Sequence, residues 1–157
     1  MTAGTWVTVA AVAVAVVTLA LNGIWARKHH VKQTEQFYLA RYWNIIDRFP
    51  KEAMVNGPSG ELNDAQQHAV LLYLRLCEDE ADLRSMCMVS DAVWQAWEKG
   101  IRSQLCHWPV AGQWQRISGG DLAVRNKGQF KHLRALMATD AYDPCQRNRP
   151  GRWRRGL

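Results

Sequence analysis

The densest cluster of groups that could do chemistry in this sequence is the run Glu78, Asp79, Glu80 and Asp82. On a helix Glu78 and Asp82 stand one turn apart, where their hard oxygens could share a divalent cation. Arg75 precedes Glu78 and Asp79 by three and four positions, the ordinary spacing of a surface ion pair. A solvated helix end, or a patch that meets a basic partner, is the commoner use of such a run. Cys106-His107 is the second candidate, but a Cys–His nucleophile needs residues distant in sequence to complete it. Trp94 and Trp97 could stack bases, yet at helical spacing beside Ile101 they read as core. The sequence has no CxxC, CxH or HxxxH spacing for zinc, no GxxxxGK[ST] phosphate loop, no GxSxG and no HExxH. It therefore points to no catalytic residue, no cofactor and no metal, and to a non-enzymatic protein.

The elements that would position any site begin with residues 5–26, 22 positions without a charge. As a helix they would reach ~33 Å at ~1.5 Å per residue, enough to cross a hydrocarbon core of ~30 Å. Trp6 and Trp25 fall near its two ends, where indole rings favour the interfaces. The alternation VTVAAVAVAVV looks like a strand, but a lone strand in lipid would leave every amide unpaired, so a helix is expected. A cleaved signal peptide would need a basic region before its apolar run, and the first basic side chain here is Arg27.

Arg27, Lys28 and Lys32 crowd one flank only, which predicts a short N-terminus (residues 1–4) outside and the rest of the chain cytoplasmic. In that reducing compartment Cys77, Cys87, Cys106 and Cys145 are expected to be free thiols. Gly4, Thr8, Ala11, Ala15, Thr18 and Asn22 follow one another at steps of four and three, a stripe of small and polar residues. Such a stripe suits self-association or a partner helix in the membrane.

Residues 27–139 read as a helical cytoplasmic domain. Tyr38, Tyr42, Ile45, Ile46 and Phe49 keep helical spacing until Pro50 stops them, and this helix can run on from the span. Gly57, Pro58 and Gly60 mark a loop. Asn63 with Gln66 forms a variant capping box, and residues 69–77 carry only Arg75 as a charge, so that helix should be central. Ser90 is the next expected N-cap, Trp94, Trp97, Ile101 and Leu105 form one stripe, and Asp121 is placed to cap a last helix bearing Phe130, Leu133, Leu136 and Met137. The fold class expected is all-α: one transmembrane helix, then a bundle of four or five helices.

The formal net charge of +6 sits at two edges. Residues 27–32 carry +3 and residues 144–157 carry +5, against 12 basic and 14 acidic side chains between them. Residues 140–157 are thus expected to be a disordered basic tail. Arg147, Arg149, Arg152, Trp153, Arg154 and Arg155 are the residues that could contact an anionic partner there, with anionic lipid, nucleic acid, an acidic protein patch and no partner all compatible with the sequence.

The strings RYWNIIDRFPKE, CEDE and W-x-x-W-x-x-G-I, here at Arg41, Cys77 and Trp94 onward, make the chain similar to short bacterial single-pass membrane proteins of unassigned function. Those have one N-terminal membrane helix followed by a helical cytoplasmic domain. The resemblance spans roughly residues 6–114 and implies architecture without a reaction. Fourteen arginines against six lysines suit a GC-rich, actinobacterial-type genome, plasmid or phage. The functional expectation is a membrane-anchored domain that recruits or scaffolds a protein partner at the inner membrane. The alternative is a membrane component of a plasmid or phage DNA-transfer system that touches nucleic acid through its tail.

Overall fold

The computed structural model describes residues 3–55, 60–119 and 128–145. Asp121 and all six tail residues named above lie outside the described residues, as do Gly57 and Pro58. Six helices and no strand occur among the described residues. They are α1 (Ala3–Ile46), α2 (Lys51–Met54), α3 (Asp64–Ser85), α4 (Asp91–Cys106), α5 (Val110–Ser118) and α6 (Lys131–Ala138).

α1 is one unbroken helix of 44 residues, about 66 Å long at ~1.5 Å per residue. Its two halves differ in burial. From Gly4 to Trp25 every residue is exposed, including Trp6, Val7, Val14 and Leu19 at 64, 70, 67 and 71%. An apolar stretch that long with no protein around it is suited to lipid. The lower half belongs to the bundle: Val31, Ile45 and Ile46 are buried, and Tyr38 and Tyr42 pack on the core.

α3 is the central element. Asn63 accepts from the Gln66 N–H at 2.9 Å, and the Gln66 side chain accepts from the Asn63 N–H at 3.0 Å. This capping box satisfies two backbone donors at the helix start. Ala69, Val70, Leu74, Leu76 and Cys77 are fully buried, each aliphatic side chain stabilising the fold by roughly 1.5–3 kcal/mol. α1, α5 and α6 lie against α3, while Ile101 and Leu105 of α4 join the same core and Trp94 packs with Ala81 and Val89.

α3 ends in a Schellman turn in which Cys87 N–H donates to Arg84 O (2.8 Å) and Met88 N–H to Leu83 O (3.0 Å). The left-handed position of that turn, normally glycine, is Cys87 at φ 55°. Its sulfur is bonded to Cys145. The expectation of four free thiols is therefore corrected: Cys77 and Cys106 are free, whereas Cys87 and Cys145 form a disulfide across 58 positions. The expectation rested on compartment alone, and the fold brings these two buried side chains together from the end of α3 and from the segment that follows α6. The chain up to Cys145 is held against the bundle, so the stretch from residue 140 to 145 is docked on it and does not start a free tail.

Candidate functional site

α1 carries the residues expected at the membrane. Trp6 and Trp25 are both 64% exposed, Lys28 and Lys32 are exposed, and Arg27 is half-buried. In the proposed association stripe the hydroxyls of Thr8 and Thr18 donate to Gly4 O and Val14 O, four residues back, at 3.0 and 2.8 Å. Those hydroxyls are used inside the helix, so Gly4, Ala11 and Ala15 are left as the close-approach surface and Asn22 as its polar side chain.

The acidic run of α3 divides into four different roles. Glu78 accepts from the first backbone N–H groups of α6, His132 at 2.9 Å and Leu133 at 3.0 Å. It therefore caps a helix that has no side-chain cap of its own. Asp79 faces Arg41 at 3.6 Å in an exposed pair of little energetic weight. Asp82 accepts from Lys131 (3.2 Å) and contacts His132 Nε2 (2.9 Å). Partial burial would raise its carboxyl, but the contacts from Lys131 and His132 outweigh that and hold it below the usual range. Glu78 and Asp82 are thus committed to fixing α6, and among the described residues no three His, Cys, Asp or Glu side chains are grouped to hold a metal.

The His132 ring continues from Asp82 to Tyr142, whose hydroxyl is 2.6 Å from Nδ1. Carboxylate, imidazole and hydroxyl in sequence is the layout of an activated nucleophile. Two observations argue for a strut instead. Burial and the charges of Glu78, Asp82 and Asp143 raise the Tyr142 phenol, which disfavours its anion. The cleft beside Asp82 is lined by Arg75, Glu78, Gln129 and Lys131 and includes neither His132 nor Tyr142.

A second strut surrounds Arg84, 1% exposed. Its guanidinium donates to Asp143 (2.8 and 2.7 Å), Asp91 (2.7 Å) and Val89 O (2.8 Å). Burial alone would lower its pKa; the two carboxylates raise it further, so the cation is permanent. Trp94 Nε1–H donates to Tyr142 O at 2.9 Å beside it. Arg84, Trp94, His132 and the disulfide together fix residues 142–145 to α3 and α4.

Glu80 is different. It is 4% exposed, its burial is the main cause that raises its pKa to about 8, and among the described residues no side-chain hydrogen bond or ion pair reaches it. It borders a cleft of about 250 Å³ between α1, α3 and α4, whose walls include Tyr42, Tyr73, Trp97 and Ile101. An apolar cleft with one convergent polar group is the usual form of a small-molecule site. Cys106 is exposed and His107 is turned back to Ser103 O, so that pair forms no site. Sequence reasoning passed over Glu80 as part of a solvated acidic run, and Arg84, His132 and Tyr142 altogether. The signal available was spacing, since Val70, Tyr73, Cys77, Glu80 and Arg84 follow one another at three and four positions on one helix face.

No protein-family model, curated protein or solved structure matches the chain.

Proposed function

We propose that the protein is a non-enzymatic, single-pass membrane adaptor whose helical domain recruits or scaffolds a protein partner at a bacterial inner membrane. The observation that carries this reading is the continuity of α1, exposed and apolar above Trp25 and part of the core at Val31, Ile45 and Ile46. With no hinge between anchor and bundle, the domain is held at a fixed height and angle to the lipid. Glu35, from the same helix, accepts from the Ser90 N–H at 2.7 Å and ties α1 to the start of α4. Phe37, Leu39 and Trp43 remain 62, 47 and 55% exposed on the part of α1 below the span, Phe37 on one flank of the buried stripe and Leu39 with Trp43 on the other, so that each flank offers an apolar contact to a partner.

For orientation two cues compete. Arg27, Lys28 and Lys32 favour a cytoplasmic domain, whereas a disulfide is the usual mark of an oxidising compartment. We give the cations precedence on causal grounds. They act while the span inserts, before residue 145 has been joined to anything. The anchored domain then faces the cytoplasm, and the burial of Cys87 and Cys145 shields their bond from reductant there.

The test is photocrosslinking from positions 37 and 43 of the full-length protein in native membranes. A discrete adduct to one protein, or to a second copy, is expected at these positions and not at exposed Lys99 on α4. Adducts to lipid only would overturn the adaptor reading, as would a substrate turned over by the purified full-length protein.

A further inference from the structure

We propose that the cleft between α1, α3 and α4 is a binding site for a small organic cation, an ammonium head seated against Glu80 and walled by Tyr42, Tyr73 and Trp97. This inference does not depend on what the adaptor recruits.

The site has a counter-charge without a partner. Arg41, the nearest cation on α1, pairs with Asp79 at 3.6 Å and reaches Glu80 only through space, and among the described residues Glu80 forms no ion pair. The other titratable groups around it are Asp79, Tyr38, Tyr42, Tyr73 and Cys77, none of them a cation. A carboxyl largely removed from water and open only to the cleft costs stability, and a cationic ligand seated in that cleft would complete it. The walls suit the same ligand, because aromatic faces attract a desolvated ammonium. Tyr42 and Tyr73 have ring centroids 6.2 Å apart, and Tyr38 stands 6.4 Å from Trp97 to brace the indole. Ser103 and Gln104 supply a polar rim.

Size restricts the ligand further. About 250 Å³ is at the small end of the usual ligand range and holds a head group or a compact amine. A second groove of about 410 Å³ shares Leu39, Ala96 and Trp97 with the cleft and adds Ala92 and Val93, with Lys32, Glu35 and Gln36 also lining it, so an apolar substituent could continue along its Ala92–Val93 wall.

Cation binding needs the carboxylate, whereas the empty site favours the carboxylic acid, so each cation bound releases a proton. The full-length protein in a maltoside micelle is titrated by calorimetry with choline and with its neutral carbon isostere, 3,3-dimethylbutan-1-ol. Choline should bind saturably, with affinity rising about tenfold from pH 6 to pH 7 and levelling above pH ~8. It should release close to one proton at pH 7, measured in two buffers of different ionisation enthalpy. E80Q should weaken choline at least tenfold and leave the alcohol within twofold, while W97A should weaken both. Circular dichroism and near-ultraviolet spectra establish that each variant is folded. Equal affinity for choline and the alcohol, an E80Q variant that binds choline like the wild type, or no binding of choline by the folded wild type would each overturn the proposal.

Discussion

Substituting Glu80 by Gln should stabilise the protein, by an amount that grows with pH. The group is 4% exposed and holds its proton up to about pH 8, while an ordinary glutamate releases it near 4.5. Between those values the folded chain keeps a proton that the unfolded chain has lost, so stability falls as pH rises through this window and is constant above it. The interval at ~1.4 kcal/mol per pH unit amounts to about 5 kcal/mol at pH 9 and about 3 kcal/mol at pH 7. Gln keeps the size and polarity of the neutral acid and does not titrate. The variant should therefore match the wild type near pH 4, exceed it by about 3 kcal/mol at pH 7, and exceed it by about 5 kcal/mol at pH 9. The measurement is urea unfolding of both full-length chains in the same micelle, followed by the fluorescence of buried Trp94 and Trp114. Other groups titrating in this range are common to both chains and cancel in the difference. Asp79, the second cause of the rise, supplies a control: D79N should narrow the window modestly. A difference between E80Q and wild type that stays flat within ~1 kcal/mol from pH 4 to pH 9 would refute the reasoning, because it would mean that Glu80 is solvated.

Four further outcomes follow from the same contacts. R84M should cost about 2–4 kcal/mol, less than for a fully buried pair because Asp91 and Asp143 are 44 and 34% exposed and can be rehydrated. Its effect should be less than additive with C145S, since both release residues 142–145, and full additivity in unfolding experiments would disprove that shared role. Cys106, free and exposed, should resist an impermeant maleimide in intact cells and react once the membrane is permeabilised; labelling in intact cells would reverse the assigned orientation. A11L and A15L should reduce resonance transfer between labelled copies in vesicles more than T18V does, because the Thr18 hydroxyl is spent on Val14 O, and equal effects would remove the stripe as an interface. Deletion of residues 146–157 should abolish salt-sensitive binding to anionic vesicles or DNA, whose slope for five arginines is about −4 on a log–log scale against salt; retention of that slope would place the anionic contact elsewhere.

What could be read from the sequence was whatever local rules decide. The capping box at Asn63 and Gln66 needs only four consecutive residues, and the uncharged length of residues 5–26 needs only counting. The buried stripe of α4, with Trp94, Ile101 and Leu105, follows from the helical period. The features that escaped depend on residues far apart in the chain. A left-handed Cys87 breaks the preference for glycine, and its partner Cys145 lies 58 positions away. Arg84 is buried because Asp143 comes back to it across 59 positions, and no window of sequence shows that.

Glu80 and Arg84 sharpen the distinction between a charge that holds a fold together and one that awaits something. Both continue the face of α3 that carries Val70, Tyr73 and Cys77, and both are nearly sealed from water. Arg84 has two carboxylates and a carbonyl around it, all within 2.8 Å, so its burial is compensated by the chain itself. Glu80, one turn earlier, has none, and a glutamine or a leucine there would fold more readily at neutral pH. Helical geometry alone explains why a side chain at that position must be buried; it gives no reason for the side chain to be an acid. The reason has to come from outside the fold, and the open cleft with its three aromatic walls shows from which side it would arrive.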